Sequence, residues 1–213
     1  NIAAVMAEAY NNAGDNATAL KWLNTAIENQ KAAGQPVDEN WYKRGAALAL
    51  QAKNNAAATD WLDRLVSAYP TATNWRDTLI VYRDGANLTT PENLDLMRLM
   101  RQVGALKSER DYGEYIEALD PRRFPGEVVA VIDEAGSNGL SNSTFLNEQR
   151  GIAQGNIAAD KAGLPSAAKD ARTAANGKIA ASTADAYMGY GDYAKAAIAI
   201  FVAMLFSPLM LKS

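Results

Sequence analysis

Lys43 and Arg44, then Arg76 and Arg83 seven positions apart, form a cationic set able to grip an anionic partner. Arginine grips carboxylates through two parallel N–H···O bonds, so this set could hold acidic side chains or a carboxylate of a partner. Asn11 and Asn12 could bond a partner's backbone. An ordinary solvated charged face is the competing reading of the same residues. A second basic cluster, Arg101, Arg110, Arg122 and Arg123 with Glu109 and Asp111, falls near expected helix ends, where charge commonly compensates the helix dipole. Acid–base catalysis would need two carboxylates facing one pocket with separated pKa values. Asp133 with Glu134, or Glu114 with Glu117, supplies the groups, but spacing alone does not aim them at one point. The sequence has no His and no Cys. That removes the Ser-His-Asp triad, cysteine nucleophiles, disulfides and zinc sites of the usual ligands. No metal, no cofactor and no catalysis are expected.

Composition narrows the partners. The 213 residues carry 21 basic and 24 acidic side chains, a net charge of −3, which argues against nucleic acid as a ligand. Alanine is abundant and β-branched residues are sparse, so helix propensity is favourable almost throughout. Absence of Cys fits an exported bacterial protein, and a periplasmic location is favoured on that ground over a cytoplasmic one.

The elements that must position these residues are read from an internal repeat. Ala7 to Ala26 returns as Ala184 to Ala203, with seven residues recurring at one offset: Ala7/Ala184, Ala9/Ala186, Tyr10/Tyr187, Gly14/Gly191, Asp15/Asp192, Ala19/Ala196 and Ala26/Ala203. Each copy reads as two helices folded back around a Gly-Asp turn. A small residue on the first helix lets the second cross closely, the Tyr fills the space beside it, and Gly takes the positive φ where the first helix stops. Leu23 or Ile200, one turn after the second small residue, would plug into the next hairpin.

The pattern resembles the tetratricopeptide repeat, W-x2-L-G-x2-Y then A-x3-F then P over about 34 residues. A-x3-F appears as Ala19-x3-Leu23 and Ala196-x3-Ile200, and Pro208 stands where the closing proline belongs. Hairpin two carries Trp41, Tyr42, Gly45 and Ala46, then Ala58-x3-Leu62 and Tyr69-Pro70, with Lys53 at the turn position expected to be Gly and Ala49 where a Tyr-like residue is expected. Hairpin three carries Trp75 and Tyr82, with Leu79 in place of the small residue, so a wider crossing is expected. Trp22, Trp41, Trp61 and Trp75 are read as core rather than as a carbohydrate platform.

Beyond the third hairpin's first helix the periodicity stays helical. Thr90 is read as a cap with Pro91 at the first helical position, Glu109 to Leu119 as a helix, and Pro125 as the start of another that ends at Gly136. Ser141 or Ser143 should cap a long helix to about Lys161, in which Gly151 and Gly155 either weaken or kink the helix or permit close helix contact. A separate short helix, Leu164 to Ala175, should open at Pro165 and be followed by an Asn176-Gly177 turn.

The expected fold is therefore all-α, an α–α superhelix of antiparallel hairpins in one domain over 1–213. Clear repeats lie at 1–35, 39–70 and 178–208, with degenerate hairpins over 74–176. The resemblance implies a bacterial, non-catalytic scaffold or adaptor that binds a protein or peptide, acidic in character, along the concave face lined by first helices. Lys43, Arg44, Arg76, Arg83, Asn11 and Asn12 are its contact residues. The chaperone-clamping subset of the family is not implied, because Ala4 and Glu8 stand where Lys and Asn would be needed.

Ala196 to Leu211 contains no charge. A membrane span needs about 20 apolar residues, and Ser207-Pro208 intervenes first, so a membrane contact is not expected. A helix apolar all round should be covered. Burial under the middle segment is expected first, with a homodimer contact as the alternative. Two rival functions follow: a self-assembling homodimer through this helix, or the helical accessory part of a cell-envelope enzyme.

Overall fold

The structure, a computed structural model, describes residues 1–173 and 177–205, with side chains to Val202 in the last helix. Among these residues the fold is all-α, with eleven α-helices and no strand. The chain forms two compact units, Asn1–Leu106 and Lys107–Ser213.

The first unit is three consecutive hairpins: α1 (Ile2–Asn12) with α2 (Asn16–Ala32), α3 (Glu39–Gln51) with α4 (Asn55–Ala68), and α5 (Ala72–Gly85) with α6 (Thr90–Gln102). Helix α2 packs on α3 and α4 on α5, so each hairpin stacks on the one before. The α5–α6 pair touches more sparsely than the first two, as Leu79 at the crossing predicts. The shared core holds Leu23, Ile27, Tyr42, Trp61, Leu62 and Leu65, with Trp22 and Trp41 packed against its edge.

The turns show how sequence sets the stacking. At the end of α1, the Gly14 N–H donates to the Asn11 carbonyl and the Asp15 N–H to that of Tyr10, the double bond of a Schellman motif. Gly14 sits at φ 81°, and Asp15 then accepts from the Thr18 N–H to cap α2. The same two bonds recur at Gly191-Asp192 and at Lys53-Asn54. Lys53, in the glycine position, is held at φ 55°. A side chain in this left-handed region costs about 1–2 kcal/mol, and glycine's greater freedom when unfolded returns about 0.5–1 kcal/mol of that. Lys53→Gly is therefore expected to stabilise the protein by up to about 1 kcal/mol, read as an increase in the urea midpoint at unchanged m-value.

The capping of α6 begins one residue earlier than the sequence suggests. Thr89, not Thr90, is the cap: its N–H and hydroxyl both donate to the Glu92 carboxylate, at 2.8 and 2.6 Å, leaving Pro91 one place further in. A reciprocal box satisfies more orphan donors than Thr90 alone would.

The second unit runs α7 (Glu109–Leu119), α8 (Pro125–Ala135), a kinked turn (Gly136–Leu140) in which Gly139 takes φ 89°, α9 (Thr144–Thr173), α10 (Lys178–Gly189) and α11 (Tyr193–Leu205). Ser143 caps α9, its hydroxyl accepting from the Leu146 N–H. The expected break after Lys161 does not occur. Helix α9 continues through Pro165 to Thr173, because Pro165 lies on the solvent side while α8 and α10 pack along the rest of the helix. Water can satisfy the carbonyl that proline leaves without its N–H partner.

The repeat offset is structural at most of its positions. Ala7 and Ala184, and Ala19 and Ala196, are buried contacts, and both Gly-Asp turns form. Ala9 is exposed and Ala186 only half-buried, so that pair does not mark a helix crossing. Leu23 is buried against the next hairpin, whereas Ile200 is 42% exposed, since no described hairpin follows α11. Side chains at Ala203 and beyond, Pro208, Asn176 and the tail from 206 to 211 lie outside the described residues.

Candidate functional site

The cations singled out by sequence stand on α3 and α5, and bonds between first helices fix their surroundings. Arg44 on α3 grips Glu8 on α1 in bidentate fashion, at 3.0 and 2.9 Å. Lys43 pairs with Glu39 one turn earlier at 2.7 Å, and Asn74 on α5 donates to the same Glu39 at 2.9 Å. The result is a polar strip of side-chain bonds linking α1 to α3 and α3 to α5, with Asn74 itself buried. Asn12 is exposed at the end of α1, one turn beyond Glu8 and so on the same face. Neither Asn11 nor Asn12 has a side-chain hydrogen-bond partner among the described residues.

Arg76 and Arg83 are tied differently. Arg76 donates to the Ala105 carbonyl at 2.8 Å from a half-buried position, which anchors the segment after α6. Arg83 faces Asp84 at 3.7 Å. Sequence inspection did not single out Arg64, which organises the second-helix side: its guanidinium covers the Trp61 ring at 4.2 Å and donates to Asn24 on α2 at 2.8 Å. The signal available was an arginine three residues after a tryptophan on a helix.

The acid pairs singled out by sequence are tied to separate partners. Asp133 pairs with Arg150 at 2.6 Å, while its neighbour Glu134 accepts from the Tyr112 hydroxyl at 3.3 Å. Glu114 takes Arg110 at 2.8 Å, and Glu117 is exposed. In the second basic cluster, Glu109 accepts from the Ser143 hydroxyl, Asp111 closes the cap of α7, and Arg123 lies over the Phe124 ring at 4.9 Å. Glu127, 5% exposed, accepts from the Tyr115 hydroxyl at 2.6 Å and so carries its own partner into the core.

Two adjoining clefts lie in the second unit, both touching Tyr187 and Lys195. One, of about 300 Å³, is polar and holds Lys161, Pro165, Tyr190 and Asp192. Its charges are internally matched: Lys195 meets Asp192 at 2.6 Å, and the Tyr190 hydroxyl donates to Asp160 at 2.5 Å. Burial, reinforced by the Asp160 carboxylate, pushes the Tyr190 phenol well above its usual range. The other cleft, of about 320 Å³, is mostly apolar. No helix among the described residues is long and apolar enough to cross a membrane.

Four carboxyls are held below their ordinary range. The Thr18 N–H lowers Asp15, Lys43 and then Asn74 lower Glu39, the Thr89 hydroxyl lowers Glu92, and Lys195 lowers Asp192. The unfolded chain binds more protons at these groups in acid, so their contribution is complete above the unfolded values of about 4 and is lost as pH falls through the lower folded ones. With no His in the chain, stability is expected to be level between about pH 5.5 and 8 and to fall below about pH 4.5. Urea midpoints at constant ionic strength would check this; a midpoint unchanged down to about pH 3 would contradict it.

No family model and no curated protein matches this chain, so the resemblance to tetratricopeptide repeats rests on the residues and turns described above.

Proposed function

We propose that the first unit is a non-catalytic protein- or peptide-binding scaffold of the tetratricopeptide kind. The observation that carries this is the strip in which the Glu8–Arg44 and Glu39–Asn74 bonds link three successive first helices. Its backbone is already ordered by hairpin stacking, so a partner segment binds with little ordering cost on this side. Lys43, Arg44, Asn11 and Asn12 are the contact residues. A partner's carboxylate would compete with Glu8 and Glu39 for the two cations, both solvent-exposed. Arg76 and Arg83 border the site, and reversing Arg76 would also remove its bond to the Ala105 carbonyl.

The test is an array of acidic, neutral and basic peptides probed with the unmodified chain and with Lys43→Glu/Arg44→Glu. Exposed pairs such as Arg44–Glu8 contribute at most about 1 kcal/mol, so the variant should fold, and circular dichroism verifies that. Capture of acidic peptides by the unmodified chain, reduced at least tenfold in the variant, supports the site. Equal capture by both, or no preference for acidic sequences, removes it.

A specific observation also favours self-association. Tyr193, Ile198 and Phe201 on α11 are 71%, 56% and 65% exposed, so burial within the chain does not cover this helix face among the described residues. A homodimer through α11 would cover it. Solution mass of the full chain beside Ile198→Glu/Phe201→Glu decides: a dimer that becomes a monomer supports this reading, and a monomer in both ends it.

A further inference from the structure

The apolar cleft of the second unit has features the peptide-binding reading does not use. Helix α11 packs closely along α10 but touches α9 lightly. The apolar α9 residues that line the gap, Ala168 and Ala171, are small and cannot fill it. The opposite wall is Ile198, Ala199 and Val202 of α11. The space of about 320 Å³ lies at the small-molecule end of the range for binding cavities, about 300–1,000 Å³. Two cations stand at its edge. Lys195 is neutralised by Asp192 at 2.6 Å. Arg172 has no hydrogen-bond or ion-pair partner among the described residues. An apolar chamber with one unmatched guanidinium at its rim complements a molecule with the reverse layout.

We propose that this chamber binds a free amphiphile with an alkyl chain and one carboxylate head, of the medium-chain fatty acid class. The chain would lie between Ala171 and the α11 wall, and the carboxylate would take Arg172 in bidentate fashion. The site is independent of the strip on α1, α3 and α5, and either proposal can fail without the other.

The experiment titrates the full chain with butanoate, hexanoate and octanoate, each below its micelle concentration, and with 1-octanol. Binding is read by calorimetry and by the methyl resonances of Ile198 and Val202. Affinity should rise about three- to fourfold per added CH2 as apolar surface is buried. Octanoate should bind at least tenfold more tightly than octanol. Arg172→Gln should bring octanoate down to the level of octanol while leaving octanol unchanged, and Arg172→Lys should restore part of the difference. Equal binding of octanoate and octanol, indifference to Arg172→Gln, or saturable binding that leaves the Ile198 and Val202 methyls unmoved would each overturn the proposal.

Discussion

Gly45→Ala is expected to destabilise the first unit by about 2–3 kcal/mol, although alanine is the better helix former by about 1 kcal/mol. A Cβ at Gly45 would lie 2.2 Å from two atoms of the Trp61 ring, well inside any normal contact. That ring has little room to retreat. Trp61 is buried in the core of hairpins one and two, and the Arg64 guanidinium covers one face. The chain must therefore separate α3 from α4 or force Trp61 off its rotamer, and overpacking of this kind costs about 1–3 kcal/mol or more. Gly155 provides the control. It is an exposed glycine inside α9 with nothing near a would-be Cβ, so Gly155→Ala should stabilise by about 1 kcal/mol, following helix propensity alone. All four Trp residues belong to the first unit, so urea denaturation followed by Trp fluorescence reports Gly45→Ala directly. If steric conflict is the cause, the penalty should shrink in a Trp61→Leu background, a coupling that a double-mutant cycle isolates. A penalty of the same size in both backgrounds would refute the contact as its source.

The close crossing at Gly45 was legible because the sequence places a small residue on a first helix at the repeat position where a second helix must approach. Local signals were legible in general: Gly14-Asp15 and Gly191-Asp192 as turns, Pro125 at a helix start, Ser143 as a cap, and the all-α class. Signals that depend on what packs around a residue were not. Pro165 reads as a break, yet α9 passes through it, since packing along α8 and α10 outweighs one missing bond on the wet side. Ile200 reads as a plug from its repeat position, yet nothing described lies opposite it. Lys43 and Arg44 read as a candidate grip, and the local partner Glu39 is visible at one-turn spacing. Glu8 was not, because only the stacking of hairpins brings it to Arg44. The apolar cleft was invisible for the same reason: alanine on α9 is unremarkable until α11 stands off from it.

Gly126→Ala should destabilise the second unit by a comparable amount, about 2–3 kcal/mol, and its cause lies far along the chain. An added Cβ would come within 2.3 Å of the Tyr190 ring, in the first turn of α8 where it passes α10. An aromatic ring at a helix end can often swing aside, and two contacts oppose that here. The Tyr190 hydroxyl donates to Asp160 on α9, and the Lys161 ammonium stands 4.9 Å from the ring centroid. Gly189 tightens the same crossing, since a Cβ there would meet the Glu127 side chain at 3.2 Å. Moving Tyr190 would therefore disturb α8, α9 and α10 together. Far-UV circular dichroism, which unlike Trp fluorescence senses the second unit, should show the loss in urea. Tyr190→Ala alone should also destabilise, by removing the ring and its bond to Asp160, but the double variant should be more stable than the two single losses add up to. Simple additivity would mean that Gly126 is required for backbone conformation instead. Tyr190→Phe separates the two functions of the side chain: it keeps the ring but frees it from Asp160, so Gly126→Ala should cost less on that background than in the unmodified chain, though more than beside Tyr190→Ala.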